Sequence, residues 1–154
     1  MDADTKLEQL PDELPPAPGA LGVYKPIVII GDMAYLSGHL PLQPDGSMIT
    51  GKVGVELDVD AGYQAARRAG LTMLATLKAA LGGLGRVQRV VKITGFVNAP
   101  VEFAQHPAVI NGCSELLIDV FGPEAGVAAR SAVGAGSLPL NVPVEIEAIF
   151  QISE

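Results

Sequence analysis

The 154-residue chain has one cysteine, no tryptophan and two histidines, and 5% of its residues are aromatic. A lone cysteine excludes an intramolecular disulfide framework, and no CxxC or paired Cys/His spacing exists that could build a structural metal site. A reducing compartment fits that usage. Long hydrophobic runs are missing too: Ile27 to Ile30, among the longest, falls far short of the roughly 18 to 20 residues that span a bilayer. The N-terminus begins Met-Asp-Ala-Asp, without the basic and apolar regions of a secretory signal. Cations are scarce: ten Lys plus Arg face 17 Asp plus Glu, a formal charge of -7. That balance lacks the basic footprint that phosphate neutralisation requires. Together these absences predict a cytoplasmic protein without nucleic-acid or membrane partners.

What is present is a core. With 49% apolar and 18% charged residues, the chain has the composition and length of one ordinary domain. Residues 1–18 mix five acids with Pro11, Pro15, Pro16 and Pro18, which predicts an extended proline-rich N-terminal arm ahead of a single domain over residues 19–154. Ile27 to Ile30, a Gly31-Asp32 turn signal and Met33 to Ser37 read as two short strands with a tight connection. From Val59 to Leu81 the period changes to 3.6, with Tyr63, Ala66, Gly70, Met73, Leu77 and Leu81 on one stripe and Gly82-Gly83 as the stop. Val87 to Val97 reads as a long strand. A second helix starts near His106-Pro107 and runs to Phe121, where Gly122-Pro123 ends it. Strands over Ala129 to Ala135 and Val144 to Ile152 close the chain.

The order β-β-α-β-α-β-β predicts an α+β two-layer fold, a mixed sheet with two helices on one face. Several strands are apolar at both alternations, which predicts a partner subunit over the other face.

The strongest chemical signal is a charge count. After Lys92 the only cation is Arg130, against seven acids. Its neighbours Ala128, Ala129, Ser131 and Ala132 are small, leaving room for the guanidinium fork to grip a carboxylate bidentately. A structural salt bridge to Glu145 or Glu147 is the alternative. Glu145 and Glu147 share one side of an apolar strand, where burial would raise a carboxyl pKa and suit it to proton transfer; an exposed polar face is the other reading. A simple hairpin of the last two strands would pair Arg130 near Ile149, so a pocket shared with Glu145 needs a different strand geometry or a subunit interface. His39 and His106 form no metal pair, Cys113 lies in a core stripe without a basic partner, and neither a phosphate loop nor a GxSxG elbow is present.

Arg130-Ser131-Ala132-Val133, Leu138-Pro139 and Val144-Glu145-Ile146-Glu147-Ala148 resemble the C-terminal signature of the RidA/YjgF family of enamine/imine deaminases. Tyr24, the Ser37-Gly38-His39-Leu40-Pro41 segment, Phe103-Ala104 and Asn111 extend the resemblance over about Gly22 to Ile152. It implies a chorismate-mutase-like protomer, a homotrimer with ligand pockets at subunit interfaces, and hydrolysis of 2-iminoacids of the 2-iminobutanoate/2-iminopropanoate type without a metal or organic cofactor. By the same resemblance Arg130 binds the substrate carboxylate, Glu145 positions or activates water, and Tyr24, Gly38 and Asn111 line the pocket. Ala132 stands where characterised deaminases often carry cysteine, the Ser47 to Val59 region is longer than in compact members, and the arm is extra. These departures resemble a branch whose members also carry endoribonuclease or translation-inhibitor names. The alternative is a non-catalytic small-carboxylate-binding or stress-related interaction protein that keeps the pocket.

Overall fold

The computed structural model describes all 154 residues. Its elements run α1 (Ala3–Gln9), β1 (Ile27–Ile30), β2 (Met33–His39), α2 (Val59–Leu81), β3 (Val87–Asn98), α3 (His106–Ala125), β4 (Ala129–Ala135) and β5 (Val144–Ile152), with a 3-10 turn at Pro139–Asn141. The α+β order read from the sequence is present, with one helix added. The strands form one mixed sheet in the order β1-β2-β5-β3-β4. All neighbours are antiparallel except β3 and β4, whose parallel pairing requires the long crossover that α3 supplies. Helices α2 and α3 pack side by side on one face, α2 over β5 and β2, α3 over β3 and β4.

Local chemistry sets these boundaries. Gly31, at φ 59°, opens the β1–β2 turn in a conformation that costs glycine little. Asp58 caps α2 by accepting from the Ala61 amide at 2.8 Å, and Gly82 at φ 77° ends it with its N–H on the Lys78 carbonyl. In α3 the helical path breaks at Gly122, φ 88°, after Phe121, and a last turn follows to Ala125.

The buried face of α2 is wider than a single stripe. Besides Ala66, Gly70, Met73 and Leu77, it buries Leu71, Thr72, Leu74, Ala75 and Thr76. The reason is a third neighbour: the loop after β2 and the N-terminal segment cover the side that the sheet and α3 leave open. Arg68 donates from Nε and Nη2 to the Leu42 carbonyl at 3.1 and 2.9 Å and from Nη1 to the Glu13 carbonyl at 2.7 Å. Between the helices, a Cβ at Gly112 would lie 2.9 Å from the Tyr63 carbonyl carbon and 3.1 Å from the Arg67 amide nitrogen, so only glycine lets these backbones approach so closely.

The expected extended arm is corrected at its start, where residues 3–9 are helical. All four prolines of the segment lie at or beyond Pro11, so nothing in the first ten residues forbids a helix. Asp2 supplies the cap, accepting from the Thr5 amide at 2.8 Å, and Leu7 is buried in the common core. Asp4 accepts from the Leu84 amide at 2.8 Å and pairs with Lys78 at 3.2 Å. Arg67 then clamps Asp12 through Nε at 3.0 Å and Nη2 at 2.7 Å.

The face of the sheet away from the helices carries Val28, Ile30, Tyr35 and Val133, all exposed. Alternation along each strand puts them opposite the buried Ala34, Leu36, Ile93 and Ala148.

Candidate functional site

In β5, Val144, Ile146, Ala148, Phe150 and Ile152 are buried against the helices, while Glu145 is half-buried and Glu147 exposed on the other face. β3 lies between β4 and β5, so the last two strands form no hairpin and Arg130 does not pair with Ile149. Arg130 pairs with Ile93, which pairs in turn with Ala148, and all three therefore face the helix layer.

Arg130 sits on the edge strand β4 and reaches toward α3. Its Nη1 donates to Asn111 Oδ1 at 2.8 Å and to Ser114 Oγ at 3.0 Å. Asn111 and Ser114 lie one helical turn apart on the same face of α3, so both reach one guanidinium. The three ion pairs of the protein all involve other residues, which removes the structural salt bridge as an account of Arg130. Its Nε and Nη2 donate to no protein acceptor, and neither is a buried unpartnered atom. The guanidinium is thus fixed by two neutral acceptors and keeps half of its fork for an outside acceptor. Two turns further along the strip, His106 Nε2 would lie 2.8 Å from a Cβ at Gly134, and the His106 ring meets Phe103 edge-on at 5.1 Å.

Glu145 belongs to a different cavity. Leu21, Tyr24, Ser37, Gly38, Leu40 and Pro139 line with it a space of ≈ 380 Å³. A Cβ at Gly38 would come within 2.8 Å of Glu145 Cδ and 2.9 Å of Cγ, so the carboxylate occupies room that only glycine leaves. The Tyr24 hydroxyl accepts from the Leu21 amide at 3.1 Å, which folds the chain entering β1 over the cavity. Burial, and second the Glu147 charge on the same strand face, hold the Glu145 carboxyl above its ordinary value.

The structure therefore brings together two groups, Arg130 with Asn111 and Tyr24 with Gly38 and Glu145. It does not bring the two groups to one another. Glu145 pairs with Phe96 and Phe96 with Val133, so its Cα is about 14 Å from that of Arg130 by strand spacing and rise, on the opposite sheet face. Ser114, which also holds the Arg130 guanidinium, is not singled out by any motif; its signal is the i, i+3 spacing from Asn111.

The remaining candidates have structural roles. His39 is buried, with Nδ1 donating to the Ser37 carbonyl at 2.6 Å and Nε2 2.8 Å from Thr76 Oγ1. Because a carbonyl can only accept, Nε2 accepts from Thr76 in the neutral ring, and burial holds the His39 pKa below its usual value. Cys113 is fully buried, and burial pushes its thiol up to about 12, which leaves no thiolate at neutral pH. No group of three or more His, Cys, Asp or Glu is placed to hold a metal ion, and no helix is long and apolar enough to cross a membrane.

Residues 4–150 match the family described as "YjgF/chorismate mutase-like, putative endoribonuclease". The chain belongs to this family. Among curated relatives, Protein TCP17 of Trypanosoma cruzi is 40% identical over 147 residues, 96% of this chain and 92% of that protein. A 2-iminobutanoate/2-iminopropanoate deaminase of Escherichia coli is 34% identical over 134 residues, 86% and 90% of the two chains. Among solved structures, a "putative endoribonuclease" of Shewanella oneidensis superposes with a TM-score of 0.93 at 31% identity, covering 99% of this chain and 100% of that one. The YjgF/chorismate-mutase-like fold expected from the C-terminal signature is thus the fold of this family member.

Proposed function

We propose that the protein hydrolyses 2-iminoacids to 2-oxoacids and ammonia, at sites completed between copies of the chain in a homotrimer. The observation that carries this reading is the guanidinium of Arg130, held by Asn111 and Ser114 yet without a carboxylate partner. A cation oriented by neutral acceptors, with two nitrogens to spare, suits a substrate carboxylate. The similarity to a 2-iminobutanoate/2-iminopropanoate deaminase supports the same chemistry.

In this reaction Arg130 grips the carboxylate of the iminoacid, and Glu145 accepts a proton from water as the water oxygen bonds to the C=N carbon. The imine nitrogen takes up a proton from solvent, giving a tetrahedral carbinolamine. As that species collapses, Glu145 returns its proton to the leaving nitrogen, the carbinolamine hydroxyl gives its proton to solvent, the C=O bond forms and the C–N bond breaks to release ammonia. A carboxyl whose pKa is raised by burial is better matched to such transfers near neutral pH.

Two distinct half-sites on one protomer suit a head-to-tail ring. In such a ring each copy presents one patch to its left neighbour and a different one to its right, so the Arg130 strip of one copy can face the Glu145 cavity of the next. The exposed Val28, Ile30 and Tyr35 supply apolar surface for such contacts.

The test is 2-oxoacid release from freshly generated 2-iminoacids by wild type, Arg130→Ala, Glu145→Gln and a refolded mixture of the two variants. Each variant alone is expected to be inactive. In a randomly mixed ring about a quarter of the sites receive both intact residues, and activity should return to that level. Absence of turnover by the wild type overturns the deaminase reading. Inactive variants that fail to complement overturn the shared site.

A further inference from the structure

A second cavity, of ≈ 280 Å³, opens beside the Glu145 cavity. The two share Leu21, Tyr24, Gly38 and Leu40 as walls, so they lie side by side around the end of β2. The second cavity runs toward the helix layer, and its own walls come from Pro18 and Gly19, the Leu42–Met48 hairpin, Thr72 of α2 and Leu140. The hairpin is closed by the Leu42–Met48 bridge and by Gln43 N–H donating to the Ser47 carbonyl at 2.8 Å. It is fastened to α2 by Arg68 on the Leu42 carbonyl.

Of the polar side chains in its wall, only the Tyr24 hydroxyl, which accepts from the Leu21 amide, keeps a free donor. Thr72 Oγ1 donates to the Arg68 carbonyl at 3.0 Å, and both nitrogens of His39 are occupied by Ser37 and Thr76. A space with so few free polar groups gains from apolar occupants and penalises polar ones. Its rim is apolar as well, with Leu21 71% and Leu140 60% exposed.

We infer that this cavity is the side-chain subsite of the reaction, and that it selects iminoacids with a branched or aromatic apolar side chain of four or more carbons over those with a methyl or hydroxymethyl group. The inference rests on the deaminase reading for where the reacting carbon lies, beside Glu145. The segment ahead of β1 and the hairpin after β2 are then specificity elements, reading the substituent while Arg130 reads the carboxylate. A hydrophobic pocket discriminates by tens- to hundreds-fold per few missing carbons.

The experiment uses the full chain and two readouts. Turnover is compared for iminoacids made from leucine, phenylalanine, alanine and serine; affinity is measured by calorimetry for 4-methyl-2-oxopentanoate and pyruvate, which need no turnover. Wild type is expected to favour the larger member at least about tenfold in both. Met48→Trp, which fills the cavity away from Glu145, should abolish that preference while leaving the alanine-derived substrate within about twofold. Leu42→Ala, which enlarges the same wall, should shift the preference toward the aromatic substrate. Equal turnover of small and large substrates, unchanged in both variants, overturns the subsite and leaves the deaminase reading standing. Size-graded affinity without turnover does the reverse. Absence of turnover together with binding of neither oxoacid overturns both.

Discussion

Glu145 and Gly38 interlock across the β2–β5 ladder: the carboxylate fills the volume that a side chain at position 38 would need. Gly38→Ala is expected to displace a flexible glutamate rather than backbone. Stability should fall by no more than about 1 kcal/mol, whereas kcat for iminoacid hydrolysis should drop by about 10²-fold, since misplacement by an ångström is that costly. Thermal unfolding and turnover on the same sample check this; equal losses in both would show that Gly38 serves packing alone.

Arg130 should be irreplaceable by charge alone. Arg130→Lys retains the cation but cannot satisfy Asn111, Ser114 and a carboxylate at once, because lysine lacks the planar fork. A loss of about 10²-fold in 2-oxoacid affinity is expected for Arg130→Lys and Arg130→Ala alike. Titration calorimetry, with circular dichroism as a fold control, reads it. Wild-type affinity in the lysine variant would mean that the guanidinium geometry is immaterial.

The acid limb of the pH–rate profile should belong to Glu145. Its carboxyl lies above the ordinary value of 4.5 because of burial and then the Glu147 charge, and only its ionised form accepts a proton from water. Turnover should therefore fall as pH drops through that raised value. Glu147→Gln removes the like charge and should move the limb to lower pH with turnover at neutral pH retained. A raised folded pKa also means that ionised Glu145 costs stability above that value and that the cost is relieved as pH falls through it. Glu145→Gln should accordingly be no less stable than wild type at neutral pH, which a denaturant titration decides.

The N-terminal segment is held by one clamp and one anchor. Arg67 lowers the Asp12 pKa below 3.8 by its hydrogen bonds, so the clamp's contribution is present above the unfolded value and is lost as pH falls through the folded one. Asp12→Ala should cost about 1 kcal/mol at neutral pH and nothing below both values. Leu7→Ala, which empties a buried site, should cost about 2 to 3 kcal/mol. Amide exchange within residues 3–9 should quicken in both variants; unchanged exchange would place the clamp's effect elsewhere.

The elements themselves were legible. Gly82 ends α2 as its left-handed backbone allows, Gly122-Pro123 breaks α3, and alternation over Val144 to Ile152 sets the two faces of β5. Helix α1 was not, because acids and prolines together dominate the composition of residues 1–18. Asp2 as cap and Leu7 as anchor are local signals that the downstream prolines obscured.

By itself the sequence determined which residues could form helices and strands, and which side chains carried chemistry: periodicity, caps and a lone cation are local properties. Only the tertiary structure decided that β3 separates β4 from β5, and hence that Arg130 and Glu145 face opposite sides of one sheet. Strand order and register depend on contacts between distant segments, where β-branched strands of similar pattern are interchangeable until packing against α2 and α3 selects one arrangement.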